Sequence, residues 1–383
     1  MDLTLLLVLV IALALIFDFT NGFHDTANAM ATPIATGALK PRTAVAIAAV
    51  LNLVGAFLST EVAKTISGGL IREGEGGLQI TPTMILAGLI GAIVWNLVTW
   101  LLGLPSSSSH ALFGGLIGAA VVGAGSFDPI DGAVVVSKIL LPAILAPVLA
   151  GSVSFVATKI AYSITKKRER DGFKIGQVFT SSLVSLAHGT NDAQKTMGVI
   201  TLALIAANMQ PVDSGPQIWV IIACAIAIAA GTYSGGWRII KTLGRDITEG
   251  IEPAQGFAAE ASTTATILAS SHLGFALSTT QVASGSVIGT GIGRKGASVR
   301  WRTAGRIAIG WLITLPAAGA VGALMALLAN AFAWGVILDV ILAVAAIVTI
   351  FLVSRRTKVS AGHFHQPQPA AFVRPKRRKK ARS

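Results

Sequence analysis

The chain has 383 residues, 53% of them hydrophobic and only 12% charged, with 41 glycines, a single cysteine and a formal net charge of +13. A soluble domain carries about 25% charged residues, so a water-coated globule is excluded. The lone Cys224 likewise excludes an internal disulfide framework or a cysteine-based metal cluster.

Apolar runs of the ~20 residues that cross a ~30 Å hydrocarbon core fill most of the chain, and the strict alternation of a lipid-facing barrel is absent. The expected class is therefore an all-α polytopic membrane protein, with about 11–12 transmembrane segments. Leu3 to Phe17 has no basic flank and no cleavage site, and reads as a retained first helix rather than a leader. This first segment continues to about residue 38, through the polar run NGFHDTANAM at 21–30, and residues 43–60 return. Two apolar stretches, 83–103 and 106–123, form a hairpin whose tip is Gly103 to His110. Residues 138–163, 176–208 and 217–237 each cross. A second hairpin covers 251–293, and 307–329 and 335–353 complete the series.

Most of the 30 Lys and Arg fall in five places: Lys40 with Arg42, residues 164–175, 238–249, 294–306, and the tail from 354. The connections at 61–82, 124–137 and 209–217 are neutral or acidic, with Glu61, Glu73, Glu75, Asp128, Asp131 and Asp213. The positive-inside rule places the basic segments and tail in the cytoplasm of a cell whose cytoplasmic membrane holds the protein. The net charge thus points to membrane sidedness and lipid rather than to nucleic acid. The tail GHFHQPQPAAFVRPKRRKKARS reads as a disordered segment lying on anionic lipid, and its His363 and His365 as solvated rather than metal-bound.

The two halves repeat each other. NGFHDTANAM superposes on HGTNDAQKTM at 188–197, matching Gly22, Asp25 and Met30 with Gly189, Asp192 and Met197. GLPSSSSHALFGGLIG from Gly103 then aligns with GFALSTTQVASGSVIG from Gly274, matching Ser107, Ser108, Ser109 and His110 with Ser278, Thr279, Thr280 and Gln281. Two motifs in one order at nearly equal spacing indicate duplication. On the charge-derived map the copies run in opposite senses, giving two inverted repeats with broken helices and two helical hairpins. The expected organisation is a first repeat at 1–163, a short basic linker at 164–175, a second repeat at 176–329, an additional helix at 330–353 and a basic tail at 354–383. Inverted repeats with polar, glycine-rich interruptions at matching places are the sequence pointer to a secondary transporter that binds substrate near the bilayer midplane.

Carboxylates in hydrocarbon cost ~2.5–3.5 kcal/mol even on the insertion scale, so Asp25 and Asp192 require partners or water. Their polar clusters, His24, Asp25 and Asn28 in one half and His188, Asn191, Asp192, Gln194 and Lys195 in the other, are expected to break the helices. Ser106 to Ser109 and Ser278 to Thr280 stand at hairpin tips where helices begin. Hydroxyls and unpaired N–H groups there form an anion site, beyond their ordinary capping role. An oxyanion beside carboxylates needs a cation or proton, so Asp25 and Asp192 with backbone carbonyls suit Na⁺, a divalent metal or H⁺. Glu260 is a third buried acid and a candidate proton carrier; His110 and Gln281 are inequivalent partners at matched positions. Lys195, where the first half has Asn28, could contact the anion or neutralise Asp192. Asp18 and Lys159 read as helix-end groups that snorkel. No GxxxxGK[ST] motif is present, which excludes an ATP-hydrolysing domain on that criterion.

At these residues the chain resembles the PiT family of inorganic phosphate transporters. The likeness rests on NGFHDTANAM with ATPIATGAL, AHGTNDAQKTMGVI, VWNLVTWLLGLPSSSSH and LSTTQ, and covers residues 15 to about 325. The resemblance implies symport of phosphate with H⁺ or Na⁺, in bacterial members often as a neutral complex with Mg²⁺ or another divalent metal, by an inverted-repeat fold that is dimeric. It implies that Asp25, Asn28, Asp192 and the tips Ser107, Ser108, Ser109, Ser278, Thr279 and Thr280 bind phosphate and the coupling ion. Phe23-His24 is similar to the bacterial proton-coupled branch. Gln281 departs from the His that many members carry, and the central linker is shorter than theirs. No catalytic residue and no resident cofactor are expected. Sulfate is the rival substrate and a passive anion channel the rival of another class. An intramembrane hydrolase using Ser109 and His110 is disfavoured, because adjacent helical side chains diverge by about 100°.

Overall fold

The computed structural model describes residues 2–63, 79–165, 172–212, 214–272 and 277–364. Glu73, Glu75, Asp213, Gly274, most of the charged central linker and the basic tail with His365 lie outside the described residues. Apart from an isolated bridge between Thr248 and Val299, regular structure among the described residues is helical. The helices are α1 (Leu3–Ala35), α2 (Pro41–Gly55), α3 (Pro82–Leu101), α4 (Ser108–Ala124), α5 (Leu141–Ile164) and α6 (Phe173–Ala206). They continue as α7 (Ile218–Ser234), α8 (Trp237–Lys241), α9 (Pro253–His272), α10 (Thr279–Gly293), α11 (Trp301–Ala331) and α12 (Gly335–Ser354).

Among the described residues, five helical runs are long and apolar enough to cross a bilayer: α1, α3, the stretch Gly132–Ile164 that contains α5, α11, and Gly335–Thr357 that contains α12. α7 with α8, bent by 57° at Gly235 and Gly236, makes a sixth. The chain is a multi-pass membrane protein. Hydropathy passes over α6 because its polar residues face protein instead of lipid: Thr180, Ser181, Ser185, Asn191, Asp192, Gln194 and Lys195 are all buried. α2, α4 and α10 have 15, 17 and 15 residues. At 1.5 Å per residue they reach about 22–26 Å, short of a ~30 Å core. The helices that begin at the Ser/Thr tips therefore start inside the protein.

One expectation is overturned. The acidic clusters do not interrupt their helices: α1 runs unbroken for 33 residues and α6 for 34. The carboxylates find side-chain partners on neighbouring helices, so no backbone needs to unwind to serve them. Breaks occur instead at the hairpin tips and at Gly235–Gly236. Asp18 is a second correction: it lies in the middle of α1, fully buried, and does not snorkel. Lys159 is exposed, with its ammonium 5.0 Å from the Phe155 ring centroid.

Packing is paired across the halves. α4 lies along α11, and α10 along α5; α1 packs on α7, and α6 on α2; α1 and α6 touch each other. Glycines set the closest approaches. A Cβ on Gly118 of α4 would stand 2.7 Å from the Gly319 carbonyl carbon of α11, and one on Gly289 of α10 would stand 2.8 Å from that of Gly151 in α5. Large apolar side chains such as Ile144, Val148, Leu312 and Ile341 face outward, as a lipid-facing surface requires.

After α12 the chain turns back. Arg238 donates to the carbonyl of Ser354 at 2.9 Å and Arg245 to that of His363 at 3.0 Å. Phe364 is buried, with its ring centroid 6.0 Å from that of Trp237 on α8. His363 contacts Ser360 through Nδ1.

Candidate functional site

The two acidic motifs converge. Glycine on each motif helix removes the side chain that would hold neighbours apart: a Cβ on Gly22 would meet the Ile228 backbone of α7, and one on Gly189 the Asn52 backbone of α2. With α1 and α6 in contact, Asp25 and Asp192 face one buried point, where they share a hydroxyl. Thr279 Oγ1 at the start of α10 lies 3.0 Å from Asp192 Oδ2 and 3.5 Å from Asp25 Oδ2. Thr280 donates to Asp25 Oδ1 at 3.1 Å, and Ser108, at the start of α4, to Asp25 Oδ2 at 3.2 Å. Both hairpin tips thus reach the same carboxylate, and Asn28 Nδ2 donates to Thr279 and Thr280 at 3.3 and 3.1 Å.

The tip residues divide by role. Ser107 and Ser278 are N-caps, accepting from the N–H of His110 and Gln281 at 3.2 and 3.3 Å. The N–H groups of Ser108 and Ser109, and of Thr279 and Thr280, have no helical acceptor. Ser109 Oγ is buried without a hydrogen-bond partner, so it adds a hydroxyl with capacity to spare. The outcome is two helix starts, with their positive dipole ends, aimed at one place. His110 and Gln281 are buried one position further on, and no hydrogen bond joins their side chains to the acids among the described residues.

Two histidines complete the centre. His24 Nδ1 is 2.6 Å from Asp25 Oδ1, while its Nε2 faces Ser106 and Thr99 hydroxyls at 3.4 and 3.5 Å. His188 Nε2 is 2.8 Å from Asp192 Oδ2 and 3.9 Å from Asp25 Oδ2, and its Nδ1 lies 3.2 Å from Asn52 Oδ1. Sequence reading placed His188 in the polar cluster without assigning it a role. The signal was its position four residues before Asp192, which puts both on one helix face. Asp25, His188 and Asp192 offer ligand atoms that all lie within 4.8 Å of one another. Two carboxylate oxygens and an imidazole nitrogen are a donor set that a divalent cation accepts.

Lys195 is fully buried and forms an ion pair with Asp192 Oδ1, with the Leu277 carbonyl 3.5 Å away. Asn191 donates to the same two acceptors at 2.8 and 3.2 Å. Glu260 stands apart from this group. It accepts from Thr32 Oγ1 at 2.7 Å, from Gln177 Nε2 at 2.8 Å and from Thr180, on α1 and α6. A cavity of about 10 Å³, room for about one water, is lined by Asn28, Thr32, Glu260 and Thr263 and links the two polar groups.

Comparison with known proteins identifies the family. The model of the phosphate transporter family matches residues 21–172 and 161–322. A probable low-affinity inorganic phosphate transporter of Mycobacterium bovis is 58% identical over 323 residues, covering 83% of this chain and 76% of that protein. One of Bacillus subtilis is 44% identical over 339 residues, covering 86% and 99%. Among solved structures, one described as the sodium-dependent phosphate transporter is similar with a TM-score of 0.72 and 25% identity, covering 83% of this chain and 97% of that one.

Proposed function

The chain belongs to the phosphate transporter family and is a secondary transporter of phosphate, not an enzyme; from that premise we propose that it imports inorganic phosphate together with a cation by alternating access between two inverted repeats. Phosphate binds between the starts of α4 and α10, taking hydroxyls of Ser108, Ser109, Thr279 and Thr280, the free N–H groups that Ser107 and Ser278 leave uncapped, and the Asn28 amide. The cation takes Asp25, Asp192 and His188, as H⁺ or Na⁺, or as a divalent metal travelling with phosphate as a neutral complex.

The observation that carries this reading is the Thr279 hydroxyl shared by Asp25 and Asp192. The groups that would hold the anion are engaged by the carboxylates. An anion about 4 Å from an uncompensated carboxylate meets about 4 kcal/mol of repulsion at an effective dielectric of 20, close to a thousandfold in occupancy. A cation on the carboxylates removes that repulsion and releases the hydroxyls to phosphate, so neither solute enters well alone. Glu260, joined to Asn28 by the small cavity, serves as a further proton site, and His110 and Gln281 at the two helix starts are the other candidates for the coupling ion or proton. Sulfate is excluded less firmly, since its geometry suits the same donors. The protein works as a dimer in the cytoplasmic membrane, with the basic loops and tail on the cytoplasmic side, a sidedness supported by the distribution of Lys and Arg.

The test is uptake of labelled phosphate into reconstituted vesicles, with pH, Na⁺, Mg²⁺ and competing sulfate varied independently. Uptake should accelerate under an inward cation gradient. Equal uptake with and without every gradient would instead identify a passive channel.

A further inference from the structure

The two acids occupy equivalent repeat positions but are neutralised differently, and the difference lies at one residue. Asn28 follows Asp25 by three positions, and Lys195 follows Asp192 by three. On a helix that spacing puts each pair on one face. Asn28 turns away from its acid to the Thr279 and Thr280 hydroxyls. Lys195 turns onto Asp192 Oδ1 and toward the backbone carbonyl of Leu277, the residue that precedes the α10 cap.

A carboxylate oxygen and a main-chain carbonyl at an irregular hairpin tip are the ligands that alkali cations take in membrane transporters. Here an ammonium stands between them. It is fully buried and tethered by its own chain, and the lateral Asn191 amide grips the same two acceptors. A Na⁺ in that place would lie beside a fixed positive charge without water to screen it, and the Lys could not leave without stranding a charge in the protein interior. The other oxygen of Asp192, Oδ2, remains turned to His188 and Thr279, so the shared centre keeps its second carboxylate.

We propose that the Lys195 ammonium is a built-in cation that holds the place between Asp192 Oδ1 and the Leu277 carbonyl against Na⁺, lowering by one the number of mobile cations needed per phosphate. The inference rests on the symport reading above and selects among its coupling ions. Lys195 is a specificity-determining residue: it decides which cation the site accepts, through Asp192, instead of gripping the anion.

The experiment has two arms, run on the full-length protein and on Lys195→Asn, which installs the residue of the first repeat. In reconstituted vesicles at fixed pH, replacing choline with Na⁺ should stimulate phosphate uptake by Lys195→Asn at least about fivefold more than uptake by the wild type, the equivalent of about 1 kcal/mol of ion binding. In detergent, labelled Na⁺ should bind Lys195→Asn saturably and should not bind the wild type at this site. Lys195→Gln, closer in length to the native side chain, should behave alike and stands in if the Asn variant does not fold. A Na⁺ stimulation no larger in Lys195→Asn than in the wild type, or foldable variants that bind no more Na⁺ than wild type, would overturn the proposal. The binding arm does not need transport, so absence of phosphate uptake in every sample would count against the symport reading and leave the Na⁺ result to judge Lys195.

Discussion

Asp25 and Asp192 sit at matching positions in the two halves of one molecule, yet they keep different company. Asp25 accepts from Ser108, Thr279 and Thr280 and pairs with His24, all neutral donors or a titratable ring. Asp192 pairs with the Lys195 side chain, the Asn191 amide and the His188 ring, and of the tip hydroxyls takes Thr279. Duplication supplied the geometry, two helix starts and two acids around a point. On the reading proposed above, divergence within the motifs leaves one side open to exchangeable cations and the other closed by the protein itself.

The largest expected effect tests whether both acids are needed. Asp25→Asn and Asp192→Asn should each reduce gradient-driven phosphate uptake by about 100-fold or more, since each removes a ligand and a charge from a site where single contacts are worth several kcal/mol. The same pair separates the halves through stability. Asp192→Asn strands the Lys195 charge, a loss of about 3–5 kcal/mol, while Asp25→Asn forfeits hydrogen bonds worth about 1–3 kcal/mol. Thermal unfolding in detergent should therefore rank Asp192→Asn as the less stable of the two. Equal melting would erase the distinction.

A double change sharpens the point. Asp192→Asn with Lys195→Met removes both charges and should recover most of the lost stability, because buried ion pairs are often replaceable by apolar groups at little cost. It should not recover uptake. Next in size is the shared hydroxyl. Thr279→Val loses contact with both acids and should lower uptake about tenfold or more, whereas Ser108→Ala, which touches Asp25 alone, should cost only a few-fold. The smallest stability effect is expected for His24→Asn, which places in the first half the residue type found at 191 in the second. It should cost about 1 kcal/mol, the worth of one lost hydrogen bond, yet blunt the acceleration of uptake by an inward proton gradient. A full response to that gradient would remove His24 from the coupling path.

Much of the site was legible in the chain because a repeat leaves two imprints of one requirement. Gly22, Asp25, Gly189, Asp192 and the Ser/Thr runs could be paired by alignment alone, and the structure brings those acids and tips together. Helix continuity was not legible, since it depends on hydroxyls and imidazoles arriving from other elements to satisfy the carboxylates. Asp18 misled for a related reason: position in a sequence of apolar residues says nothing of which face of α1 meets α6 and α7. Glu260 was recognised as buried, but its partners Thr32, Gln177 and Thr180 come from two other helices, and only tertiary contact separates it from the acid pair. The direction taken by Lys195, toward Asp192 rather than toward substrate, required coordinates.

The glycine seams of α4 with α11 and of α10 with α5 have a consequence for how the chain can be divided. Each of α4 and α10 packs on a helix encoded in the opposite half, with glycines at the closest approaches. On the alternating-access reading, the bodies that shift during a transport cycle are composites drawn from both halves of the chain. Severing the polypeptide between Ile164 and Phe173 should give two pieces that are orphans singly and become a working pair only when made together.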